Sequence, residues 1–337
     1  MRPAGGAAMA RGEGPPTTND ETDIGPVGGA HEAVLAGDVV RGLRPRPGAR
    51  LVDATLGLGG HAAALLADAP GATLLGIDRD PRALAIAAER LAPFAERVVL
   101  CEGSFDMLPV LLAAQGWTDG ADAVLLDLGV SSMQLDDPAR GFSFRAAGPL
   151  DMRMGPGIQI TAGVVVNAWD ERALADAIRT FGEEPRARAI ARAIVRARPV
   201  ADTATLARVV ASVAGAGKPG IHPATRTFQA IRIVVNDELG ALERLLAEGW
   251  RLLRPGGRLA VLAYHSLEDR LVKRAFRRWA ARCLCPPGLP LCTCGWWPRV
   301  AVLTPRPIVP DATEIARNPR ARSARLRLVE RLGDPPR

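Results

Sequence analysis

A parallel α/β sheet interrupted by an all-helical insertion is the architecture the sequence predicts, on three observations. Two apolar runs that end in acids, at Asp53 and Asp78, bracket a glycine turn holding Gly57, Gly59 and Gly60. Five further apolar runs alternate with segments of helical spacing. Between about residues 136 and 222 the strand pattern stops and only helical spacing remains. Strands that alternate with helices imply a parallel sheet whose ligands sit outside the carboxyl ends of the strands.

Each element has a local signal. Residues 31–43 read as an amphipathic helix before the first strand, which ends at Asp53. The glycines that follow place no Cβ against a ligand. The second strand, 72–77, delivers Asp78, 21 residues after Gly57. This is a Rossmann-like βαβ nucleotide-binding unit, with glycines at the first strand's end and an acid at the second's. Pro81 opens the next helix at an N1-like position. Residues 97–101 and 121–127 are the third and fourth strands. In the insertion, Leu174, Ile178 and Phe181, then Ile190 and Ile194, then Leu206, Val209, Val210 and Val213 mark helices. Arg188, Arg192 and Arg196 form one stripe, read first as a solvated face. Leu239, Leu242, Leu246 and Leu253 keep helical phase, Pro255, Gly256 and Gly257 make a turn, and 258–264, 300–303 and 325–329 complete seven strands.

The glycine turn fits a dinucleotide fingerprint, but Asp53 argues for a different ligand. Two unit charges about 4 Å apart interact by roughly 4 kcal/mol at an effective dielectric near 20. Beside a pyrophosphate that interaction repels; beside the ammonium and sulfonium of S-adenosylmethionine it attracts. Asp78 suits the ribose of either ligand.

The chain has 337 residues, 48% of them hydrophobic and 23% charged. Roughly two domains and a full core fit that length. No apolar run is long enough to span a membrane. Residues 1–30 lack a secretory apolar core and read as a disordered tail of a cytoplasmic protein. A net charge of +7 permits a nucleic-acid partner, but 41 of the 43 basic residues are arginine, a skew that compositional bias explains equally well. Cys101 reads as a core residue. Cys283, Cys285, Cys292 and Cys294 form two C-x-C pairs, for which structural zinc, free thiols and a redox pair all remain open.

Several runs carry a closer likeness: 53–61 (DATLGLGGH), 127–132 (DLGVSS), 140–144 (RGFSF), 149–154 (PLDMRM), 222–229 (HPATRTFQ), 265–270 (HSLEDR) and 318–323 (NPRARS). With them the chain resembles the bacterial RsmH (MraW) family over about residues 31–332. The resemblance implies a class I S-adenosylmethionine-dependent methyltransferase sheet of seven strands with a helical insert domain. It implies 16S rRNA (cytosine-N4)-methyltransferase activity on a decoding-centre (P-site) cytidine of the small ribosomal subunit. Domains then follow as tail 1–30, methyltransferase domain 31–135 and 223–337, and insert 136–222. The implied cofactor site is Gly59, Gly60 and His61 near the methionine end, Asp78 at the ribose, Phe105 beside the adenine, and Asp127 and Gln134 at the exit of the fourth strand. No metal is assigned to it.

The chain departs from the family pattern at four places: His31 lacks the usual Pro two residues on, Met133 replaces Pro, Ser104 replaces Asn, and Ala263 and Tyr264 replace Ser and Phe. Methylation of an exocyclic amine needs an acceptor that fixes the amine beside the methyl. Asp127 is the candidate, with cofactor binding alone as the simpler role. Of the four histidines, His31, His61, His222 and His265, only His61 is expected at the cofactor. Arg140, Arg145, Arg226, Arg232, Arg320, Arg322 and Arg325 are candidates for phosphate contacts. Phe142, Phe144 and Phe228 are candidates for base stacking or for core. The alternatives are a non-catalytic RNA-binding ribosome-assembly protein that keeps the cofactor fold, and an NAD-type oxidoreductase, which Asp53 disfavours. Monomer and homodimer stay equally open.

Overall fold

Runs of Val, Leu, Ile and Ala that are apolar on both faces can only be buried in the middle of a layered sheet. The computed structural model, which describes residues 33–215, 222–286, 289 and 291–333, places them there. The strands are β1 Arg50–Asp53, β2 Thr73–Asp78, β3 Val98–Glu102, β4 Ala121–Asp127, β5 Leu253–Ala263, β6 Val300–Val302 and β7 Arg325–Arg331. They form one seven-stranded sheet in the order β3-β2-β1-β4-β5-β7-β6. Pairs among β1 to β5 are parallel. β7 runs antiparallel to both β5 and β6, a departure from an all-parallel expectation. This is the sheet of a class I methyltransferase.

In chain order the helices are α1 Ala36–Leu43, α2 Gly60–Asp68, α3 Pro81–Arg90, α4 Leu108–Ala114, α5 Ser132–Asp136, α6 Ala162–Ala168, α7 Glu171–Gly182, α8 Ala187–Arg196, α9 Thr203–Ala214, α10 Thr225–Asn236, α11 Glu238–Glu248, α12 Ser266–Trp279 and α13 Ala312–Arg317. The period-2 geometry of a strand sends alternate residues to opposite faces. Leu51, Leu74, Leu125 and Leu262 pack with Val39 of α1 and Leu65 of α2 on one face. Val52, Leu75, Leu126 and Val261 pack with Leu112 of α4, Leu245 of α11 and Phe276 of α12 on the other. Truncating one of these to Ala would cost about 2–5 kcal/mol.

β5 starts five residues before the expected strand, which began at 258. Leu253 already pairs with Ala121, and pairing resumes as Arg258 with Ala123. The intervening Pro255, Gly256 and Gly257 are therefore a bulge within a strand, not a turn before one. Gly256 takes φ +79°, which a Cβ would strain.

A third apolar cluster joins α6 to α10 through Val165, Leu174, Ile178, Ile190, Ile194, Leu206, Val210, Phe228 and Ile231. α10 packs into this cluster, so the return to the sheet layers comes with α11, one helix later than residue 223. Asn236, at the end of α10, is a connecting point. Its side chain accepts from Met154 N–H and donates to Met152 O, both at 2.8 Å, while Arg79, next to the end of β2, donates to its carbonyl at 2.5 Å. Arg188, Arg192 and Arg196 lie exposed along α8. The expected tail, 1–30, and His31 lie outside the described residues.

Candidate active site

The chain leaves β1 for β2 and β3 on one side, then crosses back to β4 on the other. The reversal opens a crevice between the carboxyl ends of β1 and β4, where α/β sheets bind ligands. Asp53 and Asp127 end those two strands. Thr55 holds them together: its Oγ1 accepts from Asp127 N–H at 2.6 Å, and its own N–H donates to Asp53 Oδ1 at 3.3 Å. Gly57 and Gly59 then turn through φ +52° and +75°. At Gly59 an added Cβ would also sit 3.3 Å from Ala87 Cβ. His61 therefore enters at the first turn of α2, facing back over the crevice.

This crevice concentrates negative charge. Asp53 is 1% exposed, and burial pushes its carboxyl up to about 7; His61 pulls it down while Asp127 and Asp78 raise it further. His61 Nε2 lies 3.4 Å from Asp127 Oδ2. Burial lowers the imidazole, but the Asp127 and Asp53 carboxylates outweigh it and leave His61 above its ordinary value. The 3.4 Å contact is a charge contact without hydrogen-bond alignment, and neither ring nitrogen has a hydrogen-bond partner among the described residues. Asp127 is the more open acid, with 24% of its side chain exposed. Its Oδ1 accepts from the Tyr264 phenol at 2.8 Å. Burial and then the Asp127 charge raise the phenol well above its ordinary value, so it stays a donor.

Asp78 ends β2 and reaches the same turn. Its Oδ2 accepts from Gly57 N–H at 2.7 Å and its Oδ1 from Asp80 N–H at 2.8 Å. Burial outweighs these bonds and raises its carboxyl. Asp80 caps α3, accepting from Arg82 N–H at 3.1 Å. Its other oxygen meets Arg140 Nη1 at 2.5 Å and Gln134 Nε2 at 3.4 Å. Gln134 is held in a capping box with Ser131 at the start of α5. Phe105 lies half-buried after β3, with the Arg79 guanidinium 5.8 Å from its ring centre. Gly59, Gly60, His61 and Asp127 thus gather at the β1–β4 crevice. Asp78, Phe105 and Gln134 lie at the ends of β2, β3 and β4 beside it.

Sequence reasoning missed Thr55, Asp80 and Tyr264. Asp80 had a usable signal, since an acid directly before an N1 proline is a helix cap. Tyr264 showed only as a departure from a pattern. Other expected contacts are used internally. Arg140 also donates to the Arg153 carbonyl at 2.9 Å. Arg232 forms a two-pronged pair with Glu238, both contacts at 2.8 Å. Phe142 and Phe228 are buried, and Phe144 packs on His222 and Phe228. Arg226, Arg320 and Arg325 are more exposed, though each pairs with an acid. His265 caps α12 through Glu268 N–H.

These residues fit S-adenosylmethionine. Three buried or half-buried acids surround a turn that a Cβ would fill, which suits a cationic ligand and repels a pyrophosphate. The Asp78 oxygens keep lone pairs for a ribose diol after accepting two backbone N–H bonds.

Residues 29–332 match the MraW methylase family. The chain is 54% identical over 311 residues to "Ribosomal RNA small subunit methyltransferase H" of Thermomicrobium roseum, covering 91% of this chain and 95% of that one. It is 52% identical over 309 residues to the protein of the same name from Geobacter sulfurreducens, covering 90% and 99%. No helix among the described residues is long and apolar enough to cross a membrane. The cofactor is S-adenosylmethionine, and the chain belongs to the MraW methylase family.

Proposed function

We propose that this protein transfers a methyl group from S-adenosylmethionine to the exocyclic N4 amine of a P-site cytidine in the 16S rRNA of the small ribosomal subunit, in the cytoplasm. The relatives' names support small-subunit ribosomal RNA as substrate; the atom and the nucleotide are our extension. The observation that carries it is Asp127, a carboxylate at the mouth of the crevice, fixed by Tyr264 and still open to a second donor.

Bound S-adenosylmethionine supplies an electrophilic methyl group. Gly59, Gly60, His61, Asp78, Phe105, Asp127 and Gln134 are the residues we assign to its site. Asp78 would accept from the ribose hydroxyls and Phe105 would pack against the adenine. Asp53, too buried to meet an RNA base, supplies negative charge beneath the turn. Asp127 accepts a hydrogen from the cytosine amine and holds its nitrogen in line, a positioning effect of the kind that contributes about 10²–10⁴-fold. Such an amine is reached only when the base leaves its stack. We assign that task to the insert, residues 136–222, with Arg188 and Arg196 as phosphate contacts, since neither has an ion pair among the described residues.

The test is transfer of tritiated methyl from S-adenosylmethionine to small subunits lacking the modification, followed by nucleoside analysis. Label in N4-methylcytidine is expected. Label in another nucleoside would overturn the assignment, and binding of S-adenosylhomocysteine without any transfer would favour the non-catalytic assembly reading.

A further inference from the structure

Away from the crevice, the connection from α12 to β6 carries four thiols that the methyl-transfer chemistry does not use. Cys283, Cys285, Cys292 and Cys294 have all four sulfur atoms within 4.8 Å of one another. Cys283 Sγ lies 3.3 Å from Cys292 Sγ and 3.7 Å from Cys294 Sγ; Cys292 Sγ lies 3.9 Å from Cys285 Sγ and 3.5 Å from Cys294 Sγ. A tetrahedral zinc with Zn–S bonds of about 2.3 Å needs sulfurs about 3.8 Å apart. The four are unbridged. Backbone amides point at two of them: Cys285 N–H to Cys283 Sγ at 3.3 Å and Leu284 N–H to Cys294 Sγ at 3.4 Å. Amide donors of this kind orient the ligand sulfurs of a metal site.

Hydrophobic burial does not explain the gathering. Three of the four cysteines are exposed, and Leu284, Leu289 and Leu291 beside them are 38%, 52% and 77% exposed. The base of the connection is held firmly. Arg299 stacks over Trp297, Trp296 and Trp250, and Trp296 Nε1 donates to the Ala281 carbonyl at 3.0 Å. Among the described residues its tip has no core of its own, and in such segments a structural metal takes that role.

We propose that Cys283, Cys285, Cys292 and Cys294 bind one zinc ion as a closed tetrathiolate site that staples the α12–β6 connection. The site is structural. α12 runs away from the crevice end of β5, and Trp279 O accepts from Arg299 N–H at 2.7 Å where β6 begins. Val300 pairs with Arg331, next to the Glu330 that pairs with Arg258 in the amino-terminal half of β5, so the connection starts at the end of the sheet opposite Asp127. Four closed ligands leave no position for substrate.

The test is elemental analysis of the full chain purified without metal-affinity resin. One zinc per chain is expected, with thiols that react with Ellman's reagent slowly before a chelator is added and rapidly after it. Cobalt exchanged into the site should give thiolate-to-metal charge-transfer absorption. The double variant Cys283→Ser, Cys292→Ser should lose the zinc and still bind S-adenosylhomocysteine. Should that variant fail to fold, the wild-type metal content and thiol kinetics decide by themselves. Wild-type protein that takes up no zinc and has four freely reactive thiols, that carries iron instead, or that shows a disulfide by mass, overturns the proposal.

Discussion

Tyr264 donates its phenol hydrogen to Asp127 Oδ1 at 2.8 Å, joining the end of β5 to the end of β4 across the mouth of the crevice. The bond occupies one carboxylate oxygen and turns the other toward His61. The ring also lies where a Cβ on Gly129 would touch it at 3.4 Å, so the loop after β4 is shaped around this tyrosine. Tyr264→Phe keeps the ring and removes the donor. One hydrogen bond contributes about 0.5–1.5 kcal/mol net. Turnover is expected to fall roughly 2- to 10-fold, with S-adenosylhomocysteine affinity unchanged by calorimetry. An equal loss in both would make the bond a cofactor-site feature instead.

Asp127→Asn should behave differently. The amide can still accept from Tyr264, so the local geometry survives, but it offers a weaker acceptor to the substrate amine. A loss of about 10²–10⁴-fold in turnover is expected, with cofactor affinity falling much less. Single-turnover methyl transfer with saturating cofactor separates the two. Full activity in the variant would remove Asp127 from the chemistry.

Strands β1, β2 and β4 were legible because both of their faces are buried, which forces nearly continuous apolar runs; β3, at the sheet edge and partly exposed, showed by its short apolar run alone. The acids that end β1, β2 and β4 were legible because a parallel sheet puts ligand groups there. Pro255 to Gly257 misled because proline and glycine signal turns locally, whereas the pairing of Leu253 with Ala121 is a tertiary fact. The stretch after residue 223 was read as part of the sheet domain because nothing in the sequence shows which layer the buried Phe228, Ile231 and Val235 of α10 pack against, and that layer is the helical cluster. Arg140 looked free for phosphate because its partner, Asp80, lies 60 residues away in sequence.

Asp53 predicts a conflict between stability and binding. Its ordinary value of 3.8 applies to the unfolded chain, and burial raises it to about 7 in the fold. A raised folded value means that protonated Asp53 contributes stability in full below 3.8, and that this stability is lost as pH rises through about 7. Asp53→Asn should therefore stabilise the ligand-free protein above pH 7, by on the order of a few kcal/mol at most, read as a higher melting temperature. The same variant should weaken S-adenosylmethionine, which carries the sulfonium charge, more than S-adenosylhomocysteine, which lacks it. In the wild type, S-adenosylmethionine affinity should increase as pH rises through about 7. Equal weakening of both ligands would show that Asp53 acts by shape and not by charge.

Arg140 and Asp80 test whether the RGFSF run is built for the fold or for RNA. Asp80 is 2% exposed, and Arg140 Nη1 meets it at 2.5 Å while Nη2 donates to the Arg153 carbonyl at 2.9 Å. One side chain therefore ties the cap of α3 to the loop that enters the helical cluster. Removing one partner of a buried pair leaves a charge without compensation, at a cost of about 3–5 kcal/mol. Arg140→Met is expected to lose that much in urea denaturation without any RNA present, and adding Asp80→Asn should recover part of it. A purely phosphate-binding arginine would behave in the opposite way: Arg140→Met would unfold like the wild type and lose only salt-dependent affinity for the small subunit. The double variant separates the pair's own energy from general damage to the loop, because only a direct ion pair makes the second substitution favourable in the background of the first.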